Sequence, residues 1–181
     1  IALTVEVDMS TAETSRRGAS YTALLVYVVA RALRKYPLLN ATLRDDQIAI
    51  LDDINIGVAV AAEDGLIVPV VKEADQKSLQ DIDAEIKDLT ERARSGKLTV
   101  EDVSAGTFTI SNLGMFGVDE FRAIINPPEA AILAIGAIVK RPVVIDDQVV
   151  IRPMMKITAS ADHRILDGAT VANFLQAVKA A

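Results

Sequence analysis

The chain of 181 residues is expected to form an α+β layered domain in which helices pack on a mixed β-sheet. Segments with strand periodicity and segments with helix periodicity are intermixed without a regular strand–helix–strand repeat, which disfavours a doubly wound parallel fold. The chain opens on strict apolar–polar alternation, and two apolar-faced helices follow, each behind a serine that can cap it. This length suits one substantial core, so residues 1–181 read as one domain.

Leu3, Val5, Val7 and Met9 alternate with Thr4, Glu6 and Asp8, the period of a strand with one buried face. Ser20 caps an apolar helix from Thr22 to about Tyr36, closed by Pro37. Leu24, Leu25, Val26, Val28 and Val29 leave that helix little polar surface, which places it deep in the core. Ile48 to Leu51, Ile54 to Ala61 and Leu66 to Val71 read as strands, with Glu63-Asp64-Gly65 turning between the last two. Pro69 argues against a regular central strand in the third. Ser78-Leu79-Gln80-Asp81 forms a capping box, and Leu79, Ile82, Ile86, Leu89 and Ala93 share one helix face before Gly96 ends it. Arg92, Arg94 and Lys97 complement the negative end of that helix. Gly106 to Ser111 predicts a strand, followed by apolar segments at Ala130 to Val139, Val143 to Ile145 and Val149 to Ile151. A strand from about Met154 to Ala161 leads to a closing helix near Gly168, with Val171, Leu175 and Val178 on one side.

A net charge of -6, a pI near 4.8 and no basic cluster beyond Arg16-Arg17 exclude a phosphate-tracking nucleic-acid binder and disfavour anionic membrane surfaces. Charged residues interrupt every apolar run before the roughly 20 residues that span a bilayer. A hydrophobic content of 51% is high for a soluble chain and points to buried subunit contacts. The absence of cysteine excludes disulfides, thiolate metal sites and a cysteine nucleophile, and one histidine cannot build a multi-histidine zinc site within a chain. No metal is therefore expected. Ile1 stands in what already reads as a strand and no signal peptide precedes it, so the chain is expected to be cut from a longer protein.

Chemistry near neutral pH converges on His163, the only histidine, in Asp162-His163-Arg164-Ile165-Leu166-Asp167-Gly168. An imidazole with an unperturbed pKa of ~6.5 can both take and return a proton. Read alone, His163 is a structural or surface histidine as readily as a catalytic one. Asp167, four residues on, suits the N-cap of the helix opening at Gly168, and that role is compatible with organising the histidine. In Thr107 to Gly114, alternation sends Thr107, Thr109 and Ser111 to one face as a polar lining and Phe108 and Ile110 to the other. Ser111, at the strand end, either hydrogen-bonds backbone or donates to an oxyanion. Asn126-Pro127-Pro128 makes a rigid turn that by itself names no substrate.

Taken together, Lys35 to Asn40, Ile56 to Val60, Asp64 to Val70, Gly106 to Asn112 and the His-x-x-x-Asp-Gly signature from His163 to Gly168 closely resemble the catalytic domain of the dihydrolipoamide acyltransferases. These are the core components of 2-oxo acid dehydrogenase complexes. The resemblance covers nearly the whole chain. Ser111 to Gly117 and Ile124 to Leu133 are most similar to the acetyl-specific members of pyruvate dehydrogenase. A lone His-x-x-x-Asp-Gly is also found in chloramphenicol acetyltransferases; the ordered set of segments is more specific.

The resemblance implies transfer of an acetyl group from S-acetyl-dihydrolipoamide to coenzyme A, with His163 as general base, Ser111 as donor to the tetrahedral oxyanion and Asp167 as organiser of the active-site loop. It implies a two-layer, chloramphenicol acetyltransferase-like domain that forms a homotrimer, with histidine and serine supplied by neighbouring chains. Trimers of this family build larger cubic or dodecahedral cores. The partners implied are lipoyl domains carrying the lipoyl group on a domain outside this chain, together with the decarboxylase and dihydrolipoamide dehydrogenase components. A cytoplasmic location is favoured over the mitochondrial matrix. Residues gripping coenzyme A are not identified.

Two departures stand out. Ser10 to Ser20 is about one helix and loop shorter than the family pattern, and lipoyl and subunit-binding domains are absent from the sequence. Glu73 to Lys77 shares only a superficial likeness with a lipoyl-lysine turn and reads as the approach to a helix. The alternatives are an acyltransferase of a related 2-oxo acid complex, a stand-alone small-molecule acetyltransferase and a non-catalytic core scaffold. A stand-alone enzyme calls for an aromatic pocket that 4% aromatic residues and no tryptophan ill supply. Retention of His163, Ser111 and Asp167 argues against the scaffold.

Overall fold

A computed structural model describes residues 1–62 and 65–181. A six-stranded mixed sheet runs through it, built from β1 (Ala2–Asp8), β4 (Ile56–Val58), β7 (Val70–Val71), β8 (Phe108–Asn112), β9 (Ala131–Ile145) and β10 (Gln148–Ala161). The order is β1-β10-β9-β8-β4-β7, with β8 parallel to both β9 and β4 and the other pairs antiparallel. Two small hairpins flank it, β2 (Ala41–Arg44) with β3 (Gln47–Ile50) and β5 (Val60–Ala62) with β6 (Gly65–Ile67). The α+β layered expectation with a mixed sheet is met.

Helix α2 (Tyr21–Lys35) starts at Ser20, whose hydroxyl accepts from the Ala23 amide at 3.1 Å. Helix α3 (Leu79–Arg94) starts the same way at Ser78, and α4 (Gly168–Ala180) starts at Asp167. These three helices and the sheet enclose one core. Phe174 of α4 meets Phe108 of β8 at 5.9 Å and Tyr36 at 6.2 Å between ring centroids. Leu33, Ile82, Ile135 and Ile157 are fully buried around them, and each such side chain contributes roughly 1.5–3 kcal/mol of transfer free energy.

The opposite face of the sheet is partly polar and partly covered. Thr109, Thr158, Ser160 and Glu129 are all buried there. The segment after β8 crosses this face: Ala137 donates to the Val118 carbonyl at 2.8 Å, and Glu120 binds Lys156 at 2.9 Å and Thr4 at 3.0 Å. A Cβ on Gly136 would lie 2.0 Å from the Asp119 carbonyl oxygen, and one on Gly114 would lie 2.6 Å from the Gly136 oxygen. Only glycine permits this approach.

Several boundaries depart from the sequence reading. The run Ile54 to Ala61 divides at Ala59 into β4 in the main sheet and β5 in a hairpin. Leu66 to Val71 divides at Val68-Pro69 into β6 and β7; the Pro69 carbonyl accepts from Val58, while proline itself has no N–H to donate to the ladder. The turn assigned to Glu63-Asp64-Gly65 falls on residues 63 and 64, outside the described residues. The separate apolar segments between Ala130 and Ala161 are one long hairpin, β9–β10, joined by Asp146-Asp147 with φ of 50° and 60°. Asp45-Asp46, with φ of 48° and 61°, closes β2–β3 in the same way, and positive φ at both central residues is what a tight right-twisted hairpin needs. Ser10 to Ser20 holds a single helical turn, α1 (Ala12–Ser15), reversed through Arg17 and Gly18 at positive φ. Arg92 stands in the last turn of α3 as expected and in addition binds Asp88 at 2.8 Å and both oxygens of Asp102 at 2.6 and 3.0 Å, tying the helix to the turn at Glu101–Val103.

Candidate active site

His163 lies on the loop between β10 and α4, and its side chain is exposed. The loop is shaped by Asp162, whose amide donates to the Ala130 carbonyl at 2.9 Å and whose carbonyl accepts from Ile165 and Leu166. The Asp162 carboxylate binds the Arg164 amide at 3.0 Å and its guanidinium at 2.7 Å, and this partner holds the carboxyl below its ordinary range. Ile165 and Leu166 are buried. An outward histidine is thus carried on an anchored turn.

Asp167 is the α4 cap. Its Oδ1 accepts from the Thr170 amide at 2.7 Å, and that bond lowers its pKa, with a smaller contribution from the nearby His163. The cap reading holds and the carboxylate stands close enough to His163 to influence it.

Ser111 is half-buried on β8. It lines a cleft of about 140 Å³ together with Thr22, Asn112, Leu113, Met115 and Phe116. The turn beyond it is locally determined: Asn112 accepts from Gly114 at 2.9 Å, donates to Thr22 at 3.1 Å, and Gly117 closes a 3-10 turn with φ of 75°. The expected hydroxyl row is corrected here. Thr107 is buried against the Asn55 backbone, and Thr109 donates to Glu129 at 2.9 Å, so neither forms a lining beside Ser111.

The register separates the histidine from the serine within one chain. Ser111 stands opposite Ala134, whereas the loop of His163 begins where Ala161 meets Ala131 and is held at Ala130. That places the two roughly 13 Å apart along the strands and about 10 Å apart across two strand spacings. Neither side chain spans that gap.

Sequence reasoning passed over Glu129. Its side chain is 6% exposed on the polar face, with Oε1 accepting from Thr109 at 2.9 Å and Asn126 at 3.3 Å. Burial raises its pKa to about 7. The signal was an acid inside the otherwise apolar run Pro127 to Leu133. In the unfolded chain the same group loses its proton near pH ~4.3. Between those values the folded state keeps a proton that the unfolded state has released, so stability falls as pH rises and levels off above about 7. The full difference is about 4 kcal/mol. Glu129→Gln is expected to gain stability over the parent by about 2 kcal/mol more at pH 8 than at pH 5, measured by chemical denaturation; an equal difference at both pH values contradicts this.

Among the described residues, no group of three or more His, Cys, Asp or Glu side chains is arranged to hold a metal ion. No described helix is long and apolar enough to cross a membrane.

The model of the 2-oxoacid dehydrogenases acyltransferase (catalytic domain) family matches residues 1–181. The chain belongs to this family of acyltransferase domains. The dihydrolipoyllysine-residue acetyltransferase component of the pyruvate dehydrogenase complex of Rickettsia bellii is 43% identical over 174 residues, which is 96% of this chain and 42% of that protein. The chain thus spans under half the length of such relatives. The lipoamide acyltransferase component of the branched-chain alpha-keto acid dehydrogenase complex of Bacillus subtilis is 45% identical over 161 residues, covering 88% of this chain and 38% of that protein. Among solved structures, a probable dihydrolipoamide acetyltransferase from Listeria monocytogenes superposes with a TM-score of 0.96 at 43% identity, over 99% of this acyltransferase chain and 82% of that one. The cubic core of a pyruvate dehydrogenase multienzyme complex gives 0.95 at 33% identity, over 99% and 79%. A chloramphenicol acetyltransferase gives 0.68 at 17% identity, over 99% and 86%, which establishes a shared fold and confirms the expected architecture.

Proposed function

We propose that residues 1–181 form the catalytic, core-building unit of a pyruvate dehydrogenase-type acyltransferase and transfer acetyl from S-acetyl-dihydrolipoamide to coenzyme A. The observation that carries this reading is the separation of an exposed histidine and a cleft-lining serine at different places on one sheet, which makes each protomer two half-sites. A closed ring of protomers presents the His163 loop of one copy to the Ser111 cleft of the next. A homotrimer that assembles into a larger core, as the cubic relative does, supplies that geometry.

In the joined site His163 takes the proton of the coenzyme A thiol. Alkyl thiols have a pKa of ~8.5 and only the thiolate is a good nucleophile, so the base is needed near neutrality. The thiolate sulfur attacks the thioester carbonyl carbon, and the Ser111 hydroxyl donates a hydrogen bond to the resulting oxyanion. Collapse breaks the bond to the dihydrolipoamide sulfur, which receives the proton back from His163. Asp167 fixes the start of α4 and thereby the loop. The lipoyl group reaches the site on a separate lipoyl domain, and the decarboxylase and dihydrolipoamide dehydrogenase act before and after this step. Bacterial relatives support a cytoplasmic setting.

Identity alone does not select the acyl group, since the branched-chain relative is as similar as the acetyl one. The acetyl reading rests on the resemblance of Ser111 to Gly117 and Ile124 to Leu133. Formation of acyl-coenzyme A from acetyl, isobutyryl and succinyl dihydrolipoamide tests it: acetyl is expected to give the highest kcat/KM. A preference for another donor overturns the acetyl assignment, and no transfer from any donor overturns the reaction.

A further inference from the structure

Ser111 sits near the end of β8, and its support there is one-sided. Toward β9 the strand stays paired, with Ser111 opposite Ala134 and Asn112 opposite Ile135, and the Leu113 amide adds a bond to the Ile135 carbonyl at 3.1 Å. Toward β4 the register stops at Ile110, opposite Val58. Ala59 donates to the Ile110 carbonyl at 2.9 Å, and the chain then leaves for the β5–β6 hairpin. Among the described residues, no strand therefore pairs with Ser111 and Asn112 on that side, where residues 58–61 and the end of β8 border the cleft of about 140 Å³.

Asn112 supplies a tie on the open side. Both ends of its side-chain amide are engaged: Oδ1 accepts from the Gly114 amide at 2.9 Å, which leaves Nδ2 to donate to Thr22 Oγ1 of α2 at 3.1 Å. Alternation along β8 sets Asn112 on the face of Phe108, which meets Phe174 of α4, and sets Ser111 on the other face. Pinning Asn112 to the helix layer thus fixes the twist of the strand end that carries Ser111. Thr22 is itself firmly held. It lies in the first turn of α2, where the Ser20 hydroxyl accepts from Ala23 at 3.1 Å and the Ser20 amide donates at 2.8 Å to Asp83 of α3, a carboxylate that is 7% exposed.

A hydrogen-bond donor to an oxyanion acts only when held within about 0.5 Å and 10–20° of its productive geometry. We propose that Thr22 and Asn112 are positioning residues for the transfer reaction, holding the open side of the β8 end so that the Ser111 hydroxyl stays aimed at the oxyanion. The assignment rests on the reading of Ser111 as the oxyanion donor.

Thr22→Val removes the acceptor at nearly constant shape and is expected to lower kcat for acetyl transfer ~3- to 10-fold, as for loss of one hydrogen bond, with KM for both substrates within about two-fold of the parent. Thr22→Ser keeps the acceptor and is expected to restore kcat. Asn112→Ala, which also frees the Gly114 turn, is expected to cost more than Thr22→Val and no more than Ser111→Ala. The deciding measurement is a double-mutant cycle on the assembled protein. In a Ser111→Ala background the hydroxyl to be aimed is gone, and Thr22→Val is expected to cost less than about two-fold. An equal loss with and without the Ser111 hydroxyl overturns the positioning role, because Thr22 then acts on substrate or fold directly. Parental kcat in Thr22→Val, a loss confined to KM, or a loss that Thr22→Ser fails to reverse overturns it as well. Parental turnover in Ser111→Ala rejects the oxyanion reading together with the positioning, whereas a large loss in Ser111→Ala with an undiminished Thr22 effect rejects the positioning alone.

Discussion

Replacing His163 by alanine is expected to lower acetyl transfer by roughly two to three orders of magnitude or more, the range for loss of a positioned general base. The side chain is exposed and the loop is held by buried Ile165 and Leu166, so the variant should keep its fold and its assembly. That combination separates chemistry from structure. A folded, assembled variant with parental turnover rejects His163 as the base.

Ser111→Ala is expected to reduce turnover by ~10² or more, as for removal of one oxyanion donor. Ser111 is half-buried at a cleft rather than in the apolar core, so its truncation leaves no large cavity. The loss should fall on kcat, because the oxyanion exists only after attack. An effect confined to KM, with kcat preserved, contradicts the assigned role.

Much of this architecture was legible from local chemistry. Ser20, Ser78 and Asp167 announced three helices because a short polar side chain before an apolar stripe has one favourable use. The alternation of Leu3, Val5 and Val7 fixed β1 for a similar reason. Strand division at Ala59 was not legible, since which sheet a short apolar run joins is decided by its partners, not by its own periodicity, whereas Pro69 had marked the break in Leu66 to Val71. The Asp-Asp hairpins escaped because aspartate adopts positive φ less readily than glycine and gives a weaker turn signal.

The candidate site divides in the same way. His163 stood out as the only histidine, and Asp167 stood out by its cap position. Ser111 was located by its strand end, but its threonine neighbours looked alike in sequence and differ in fact: Thr109 is committed to Glu129, a contact across 20 residues. Glu129 acquires meaning only once the fold buries it against Thr109 and Asn126.

The account turns on a site assembled from two copies of the chain, one giving its imidazole and the other its hydroxyl. Co-expression of His163→Ala and Ser111→Ala chains with different affinity tags, followed by assay of the doubly tagged assemblies, measures this directly. Random pairing at equal levels places an intact histidine against an intact serine at about a quarter of all interfaces and at one in three within each mixed trimer, so activity should recover to about a quarter to a third of the parental value. Activity no higher than the mean of the two separate variants would show that His163 and Ser111 serve the same chain, and would contradict the account.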